Sequence, residues 1–546
     1  MRKDIGGWQV RFDAQQRERY VAQGIWLDRT VADAALALEE REPDRVTHVA
    51  QGREHRVGEL VEQARALAAG LAQRGLKAGD VVSFQLPNWT EAIAVDLACA
   101  MLGLVVNPIV PIYRDAEVAL TLADCRAKAV FVPESFRGFD HAAMMRRLAP
   151  QLPELRMVCT VRAAQPDGDS FEALVGSGAR LPALPRVDPD AVKMVMYTSG
   201  TTGRPKGVLH SHNTLPRAIL ESARHWGIRE GETFLMASPV THVTGYSCGI
   251  EMPFLCRTRS VLMDRWQAAE AVELIDREQI NATVSATPFL HELVMEAQRL
   301  GRRLPSLRVF ACGGAAVPPE LIRQADAALE NCRAFRVYGS SEAPFTTLGF
   351  LGSGQEDLAA ETDGEIIDFE VIVADEHGRE LPRGAEGEIC ARGPALFLGY
   401  ADAAQTAESF DDRGYFRTGD MGYVTPQRAV VITGRKKDLI NRGGEKISAK
   451  EVEDLVHTHP AVQEAAVVSM PHARLGETVC AYVIPRPGAE VSLADLLKVA
   501  EAAGVAKQKY PEQLVVVSEL PRTASGKIRK DLLREDIRER LRVERG

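Results

Sequence analysis

The feature that most constrains this chain is a repeated alternation of amphipathic helix and short apolar strand. Residues 57–75 (VGELVEQARALAAGLAQRG) place apolar side chains at three- and four-residue steps and stop at Gly75, the pattern of a helix with a glycine end. VVSFQLP follows as a buried strand, EAIAVDLACAMLGL as a second helix, and VVNPIV and AVFVP as further strands. The alternation returns between residues 190 and 340, where KMVMY, TFLMAS, ATVSATP and LRVFACGG read as strands and QAAEAVELIDREQ as an intervening helix. Strands of this kind, apolar on both faces and separated by helices, require mostly parallel sheets covered by helices. A chain of 546 residues also exceeds what one core organises, so more than one domain is expected.

Two changes of character divide the rest. From about 364 to 432, short β segments (FEVIVAD, GEICARG, AVVITG) are punctuated by Gly and Pro, which predicts a small β-rich subdomain. After Gly434 comes the polar, basic RKKDLINRGGEKIS, then helices and strands of a second unit. The expected division is residues 1–434, an α/β domain of helix-covered, mostly parallel sheets with its β-rich subdomain, and residues 435–546, a smaller α+β domain.

Composition narrows the function. The 66 Lys and Arg against 75 Asp and Glu give a formal net charge of -9, which argues against a nucleic-acid partner. Nine cysteines without CxxC spacing argue against a disulfide framework or structural zinc and suit a reducing cytoplasm. The most apolar stretch, residues 97–106, is too short to span a bilayer and reads as a helix end running into a strand.

The strongest local signal is Tyr197-Thr198-Ser199-Gly200-Thr201-Thr202-Gly203-Arg204-Pro205-Lys206-Gly207, directly after KMVMY. Its glycines let backbone approach a ligand, its hydroxyls and amides donate, and Lys206 adds a cation, which is the chemistry of a polyphosphate cradle. It is not the GxxxxGK[ST] pattern. A bare Gly/Ser/Thr run also suits a surface loop; the embedded lysine and proline argue against that.

This run resembles the phosphate loop of the acyl-adenylate-forming superfamily, which holds acyl-CoA synthetases, adenylation domains and beetle luciferases. Further motifs occur in the family's order. Tyr338-Gly339-Ser340-Ser341-Glu342 is similar to its YGxTE, Arg417-Thr418-Gly419-Asp420 to its RTGD, Gly434-Arg435-Lys436-Lys437-Asp438 through Gly443-Gly444 to its hinge, and Pro521-Arg522-Thr523-Ala524-Ser525-Gly526-Lys527 to its C-terminal lysine motif. Ser341 stands where threonine is usual, and Thr362-Asp363-Gly364-Glu365-Ile366 where a Gly-x-Pro turn is common.

The resemblance implies the following roles. ATP is bound by the phosphate loop with Lys206, by Gly313, Gly314 and Ala315, by Tyr338 stacked on adenine, by Asp420 on the ribose, and by Arg435. Glu342 and Thr198 hold Mg2+. Lys527 bridges the substrate carboxylate and the α-phosphate, so Lys527, Glu342 and Lys206 carry adenylation. His242, Tyr246, Gly314 and Ala315 line the acyl pocket. Lys437 is the hinge about which a mobile C-terminal domain turns, and Gly443 and Gly444 line the coenzyme A channel. His210 and His212 are expected at a helix start. The implied reaction activates a carboxylic acid with ATP and passes the acyl group to coenzyme A, a carrier protein in trans being the alternative acceptor. A luciferase-like oxidoreductase and a non-catalytic nucleotide binder are the other readings, the latter disfavoured by the presence of Glu342 and Lys527. The absence of an acidic residue between Ser238 and Ile250 favours a simple organic acid (medium-chain, alicyclic or aromatic) over an amino acid. A homodimer is among the expected assemblies.

Overall fold

Alternating inward and outward side chains along each strand give both large sheets two apolar faces, and the chain covers both. A computed structural model describes residues 1–198, 205–315, 317–442, 445–523 and 527–543. The first sheet has seven strands in the order Met157–Val161, Ala129–Pro133, Val81–Phe84, Val105–Pro108, Val192–Thr198, Lys206–Ser211 and Gly399–Tyr400. Its first five strands are parallel; the last two are added antiparallel. The second also has seven, in the order Arg333–Val337, Val309–Gly313, Ala282–Ser285, Thr233–Met236, Arg259–Leu262, Val46–Ala50 and Arg53–Arg56, parallel except for the last.

A continuous core joins the two sheets. Val82, Phe84 and Met194 of the first and Phe234, Met236 and Phe335 of the second pack on the same helices, Val57–Gln73 and Thr90–Leu102. The Thr90–Leu102 helix is apolar nearly all round and buried along its length, as a helix enclosed between sheets must be. The opposite faces, with Val81 and Val105 on one sheet and Leu235 and Phe310 on the other, carry separate cores under outer helices. The parallel, helix-covered architecture read from the sequence is the one observed, and the apolar stretch at 97–106 is the end of the central helix and the start of the Val105–Pro108 strand.

A third, antiparallel sheet follows: Glu370–Ala374, Gly387–Arg392, Phe416–Val424 and Val430–Arg435. A one-turn 3-10 segment, Lys436–Asp438, separates it from the C-terminal sheet, whose Leu439–Arg442 strand starts at once. That sheet carries helices Ala449–His457 and Leu493–Ala502 on one face, through Val467 and Val452, and Lys530–Val543 on the other, through Val468 and Leu533. All nine cysteines are free. Among the described residues no helix is long and apolar enough to cross a membrane.

Candidate nucleotide and acyl site

In an open α/β sheet the carboxyl ends of the strands point their loops at one crevice, and ligands bind there. Both large sheets follow the rule. The Val192–Thr198 strand turns back as Lys206–Ser211 with Thr198 opposite Lys206, so the glycine-rich run is the connection between them. Ser199, Gly200, Thr201, Thr202 and Gly203, like the channel glycines Gly443 and Gly444, lie outside the described residues. From the second sheet, Val309–Gly313 ends in Gly313-Gly314-Ala315, and Arg333–Val337 ends in Tyr338-Gly339-Ser340-Ser341-Glu342. Gly313 is required by close approach: a Cβ there would lie 2.4 Å from the Val337 carbonyl oxygen.

Side-chain bonds tie these ends together. Tyr400, on the edge strand of the first sheet, donates its hydroxyl to Glu342 Oε1 at 2.8 Å, and the Lys206 ammonium lies 4.6 Å from its ring centre. Lys206, Tyr400 and Glu342 thus form one row, a cation, a neutral donor and a carboxylate. His210 Nε2 lies 2.7 Å from the Ser341 carbonyl, which can only accept, so the ring proton is on Nε2; burial pushes this histidine down to about 4. His210 belongs to the Lys206–Ser211 strand and His212 to the turn after it, not to a helix start; both are buried. Ser340 stabilises its own turn by accepting from Ala343 N at 3.2 Å. Ser341 is buried, with its hydroxyl against Met196 Sδ.

The third sheet supplies the next group. Asp420 and Arg435 sit opposite one another on neighbouring strands and pair at 2.7 Å, and the Tyr338 hydroxyl donates to the other Asp420 oxygen at 2.6 Å. Burial raises the Asp420 carboxyl, while Arg435 and Tyr338 oppose that shift. The two oxygens expected to receive ribose hydroxyls are therefore both held by protein donors. The Asp363 segment that departs from the common turn is fully engaged in structure: Arg336 pairs with one oxygen of Asp363, and Ile432 N donates to the other at 2.7 Å.

Lys527 comes to this cleft from the C-terminal unit. Thr523 N donates to its carbonyl at 2.7 Å and its own N–H returns to Thr523 Oγ1 at 3.1 Å, so the two residues are bonded to one another in both directions. Desolvation by the surrounding protein, and next the charge of Arg435, lower its ammonium below the ordinary lysine range, although solvent still reaches the side chain; Asp420 and Glu342 pull the other way. His242, which precedes the Val243–Tyr246 helix, is pushed down to about 4 by burial and next by Lys527. Glu342, Asp420, Arg435 and His242 are thus the charged and titratable groups of the first unit whose fields bear on Lys527 or feel its charge. Lys437 lies in the 3-10 segment between the two units.

Tyr246 is fully buried, and its hydroxyl is committed to Asp96. No local pattern distinguished Tyr400 in the sequence; it becomes part of the site through pairing of its strand with Lys206–Ser211, far from it in the chain.

The donor set fits a hard cation. Glu342 and Thr198 offer oxygen, and among the described residues no group of three His, Cys, Asp or Glu is gathered for a protein-only metal cage. That combination suits magnesium, which is commonly held by one or two protein oxygens together with substrate phosphates.

Residues 35–401 match the AMP-binding enzyme family and residues 451–527 the AMP-binding enzyme C-terminal domain. The medium-chain fatty-acid–CoA ligase of Escherichia coli K12 is 35% identical over 538 residues, 97% of this chain and 94% of that protein. The 2,3-dihydroxybenzoate–AMP ligase of Bacillus subtilis 168 is 31% identical, covering 96% of each chain. Among solved structures, ATP-bound MatB from Rhodopseudomonas palustris superposes with a TM-score of 0.82 at 27% identity, over 92% of this chain and 98% of that one.

Proposed function

Since the chain belongs to the AMP-binding enzyme family, and is an acyl-adenylate-forming ligase, we propose that it converts an organic carboxylic acid to its coenzyme A thioester in two steps. In the first, a carboxylate oxygen attacks the α-phosphorus of ATP, and the bond to the bridging oxygen breaks as pyrophosphate leaves with the electron pair. In the second, the thiol sulfur attacks the acyl carbonyl, AMP leaves, and the thiol proton is released. The observation that carries this reading is the row of Lys206, Tyr400 and Glu342 together with Asp420 held by Tyr338 and Arg435.

The first step brings two anions together, so its barrier is partly electrostatic, and preorganised cations lower it. Lys206 and the phosphate loop would take the β- and γ-phosphates. Lys527 would bridge the carboxylate and the α-phosphate, and Asp420 would exchange its protein donors for the ribose hydroxyls. Glu342 and Thr198 would hold magnesium, which supplies neutralisation of phosphate charge when bound. His242, kept neutral by burial, would border the acyl group without adding a charge that competes with Lys527. For the second step residues 435–546 would turn about Lys437 and open a pantetheine channel beside Gly443 and Gly444.

The similarity to a medium-chain fatty-acid–CoA ligase supports a mainly apolar acid and free coenzyme A as acceptor. A second reading, transfer to the phosphopantetheine of a carrier protein, draws on the similarity to an aryl acid–AMP ligase, a name that stops at the adenylate. One experiment decides: pyrophosphate release across a panel of medium-chain, alicyclic and aromatic acids, with and without coenzyme A. Acid-dependent release with acyl-CoA found by mass spectrometry supports the ligase. An adenylate that coenzyme A does not discharge transfers the reading to a carrier protein, and no acid-dependent release removes both.

A further inference from the structure

The helix that follows His242 changes type along its length. Val243–Tyr246 is α-helical, Ser247–Glu251 is a π turn, and Met252–Cys256 is α-helical again. A π turn inserts one residue into the helical repeat, so it rotates what lies before it relative to what lies after. The cause is written in the sequence: Pro253 has no N–H and cannot close an α-helical bond to the Gly249 carbonyl.

Carbonyls freed in a buried helix need other donors. Two strands of the second sheet provide them. Ser260 Oγ donates to the Cys248 carbonyl at 2.8 Å, and His48 Nε2 lies 3.1 Å from the Gly249 carbonyl. The carbonyl only accepts, so the His48 proton is on Nε2, and Nδ1 accepts from Thr47 Oγ1 at 3.0 Å. Burial pushes His48 down to about 3, which keeps the ring neutral.

The first sheet grips the same turn from the other side. Glu251, its last residue, pairs with Lys193 of the Val192–Thr198 strand, and Lys193 Nζ also lies 3.8 Å from Asp96, the acceptor of the Tyr246 hydroxyl. Lys193 is 1% exposed and Asp96 and Glu251 are 0% exposed. At Gly249 a Cβ would meet Met236 Cγ at 2.9 Å, so nothing larger fits between turn and sheet. A buried ion pair adds little net stability, because desolvation offsets the attraction, and fixing register is its best-attested use. Ser247, at the start of the turn, keeps a buried hydroxyl without a partner among the described residues.

We propose that His48, Ser260 and the Lys193–Glu251 pair are positioning residues that hold the π turn, and that the turn sets which acids the cleft accepts. It does so by fixing the rotation of the segment that begins at His242 relative to the anchored segment beyond Glu251. The inference rests on the reading of this cleft as an acyl-adenylating site.

The test uses the full chain with Pro253→Ala, which restores the missing N–H, with Ser260→Ala, and with Ser260→Thr, which keeps the hydroxyl. Acid-dependent pyrophosphate exchange is measured across acids of different length and shape, together with the KM for ATP and thermal unfolding. The expected result is a change of about tenfold in the kcat/KM ratio between acids for Pro253→Ala and Ser260→Ala. The KM for ATP stays near the parent value, and Ser260→Thr regains the parent ratios. Folded variants with unchanged ratios, or an equal loss for every acid, would overturn the inference alone. Should Pro253→Ala not fold, Ser260→Ala, which loses one hydroxyl, decides. A parent protein that exchanges with no acid would overturn the site reading and this inference with it.

Discussion

Lys527 is the residue on which the proposed chemistry turns most sharply. A lysine in a basic tail is ordinarily solvated surface, and Lys527 is exposed, yet its ammonium is lowered by desolvation and by Arg435 while Asp420 and Glu342 oppose the shift. Lys527→Ala should slow adenylation on the order of 10²- to 10³-fold, by analogy with loss of one preorganised transition-state donor. Thioester formation from preformed adenylate should be spared; equal loss in both steps would refute the division of labour. The sign of the pH effect follows from the shift. A lowered ammonium loses its charge at a lower pH than a free lysine, so adenylation should fall on the alkaline side below pH 10.5. Tyr400 makes a second case. Its hydroxyl orients Glu342, and a bond to a carboxylate contributes about 1.5–3 kcal/mol where it is buried and less where solvent enters. Tyr400→Phe should raise the magnesium concentration needed for half-maximal pyrophosphate release by roughly tenfold. An unchanged magnesium titration would remove Tyr400 from the site.

At the scale of elements, the site depends on where strands end. The helix–strand alternation was legible because apolar periodicity is a local property, and the Val192–Thr198, Thr233–Met236, Ala282–Ser285 and Val309–Gly313 strands fall where their apolar runs predict. His210 was misplaced at a helix start because its strand runs on to Ser211, an extension made by pairing with Val192 and Met194 of the preceding strand, and His212 falls in the turn that follows. Gly313 tests how tightly the strand ends are set. Its Cβ would press on the backbone of the neighbouring strand rather than on a side chain that can turn away. Gly313→Ala should therefore cost about 1–3 kcal/mol, read as a fall in the thermal midpoint. Full stability would mean that the loop after the strand is looser than its geometry indicates.

For the whole molecule, the proposal requires two arrangements of two units. In the described one the charges of Asp420, Glu342 and Arg435 act on Lys527, and only Lys436–Asp438 separates the third sheet from the C-terminal sheet. Proline fixes φ near −65°, so Lys437→Pro should hold one arrangement. Adenylation should change little and thioester formation should fall by about tenfold or more, checked by single-turnover assay of each step; parallel loss would exclude Lys437 as the pivot. Stability should depend on pH through buried histidines. His48 is pushed to about 3 and His210 to about 4, both below the 6.5 of the unfolded chain. As pH falls from 6.5 the unfolded state binds protons first, so stability present above 6.5 is progressively lost toward pH 4. The upper limit is about 3 kcal/mol for His210. Urea unfolding at pH 7 and pH 4.5 measures it, and equal midpoints would show that the rings protonate in place.

What the sequence determined by itself were properties carried by local pattern. Apolar periodicity set the helix-covered sheets, and ordered motifs of hydroxyls, glycines and charged residues marked Lys206, Glu342, Asp420 and Lys527 as a group. What only the tertiary structure decided were the partnerships. Tyr400 with Glu342, Tyr338 and Arg435 with Asp420, and Lys193 with Glu251 each join residues separated by between 15 and 82 positions. The physical reason is that a buried polar group must find a partner wherever the fold brings one. Propensity and spacing act over a few residues, whereas that choice is made by the packing of two sheets and a third against one cleft.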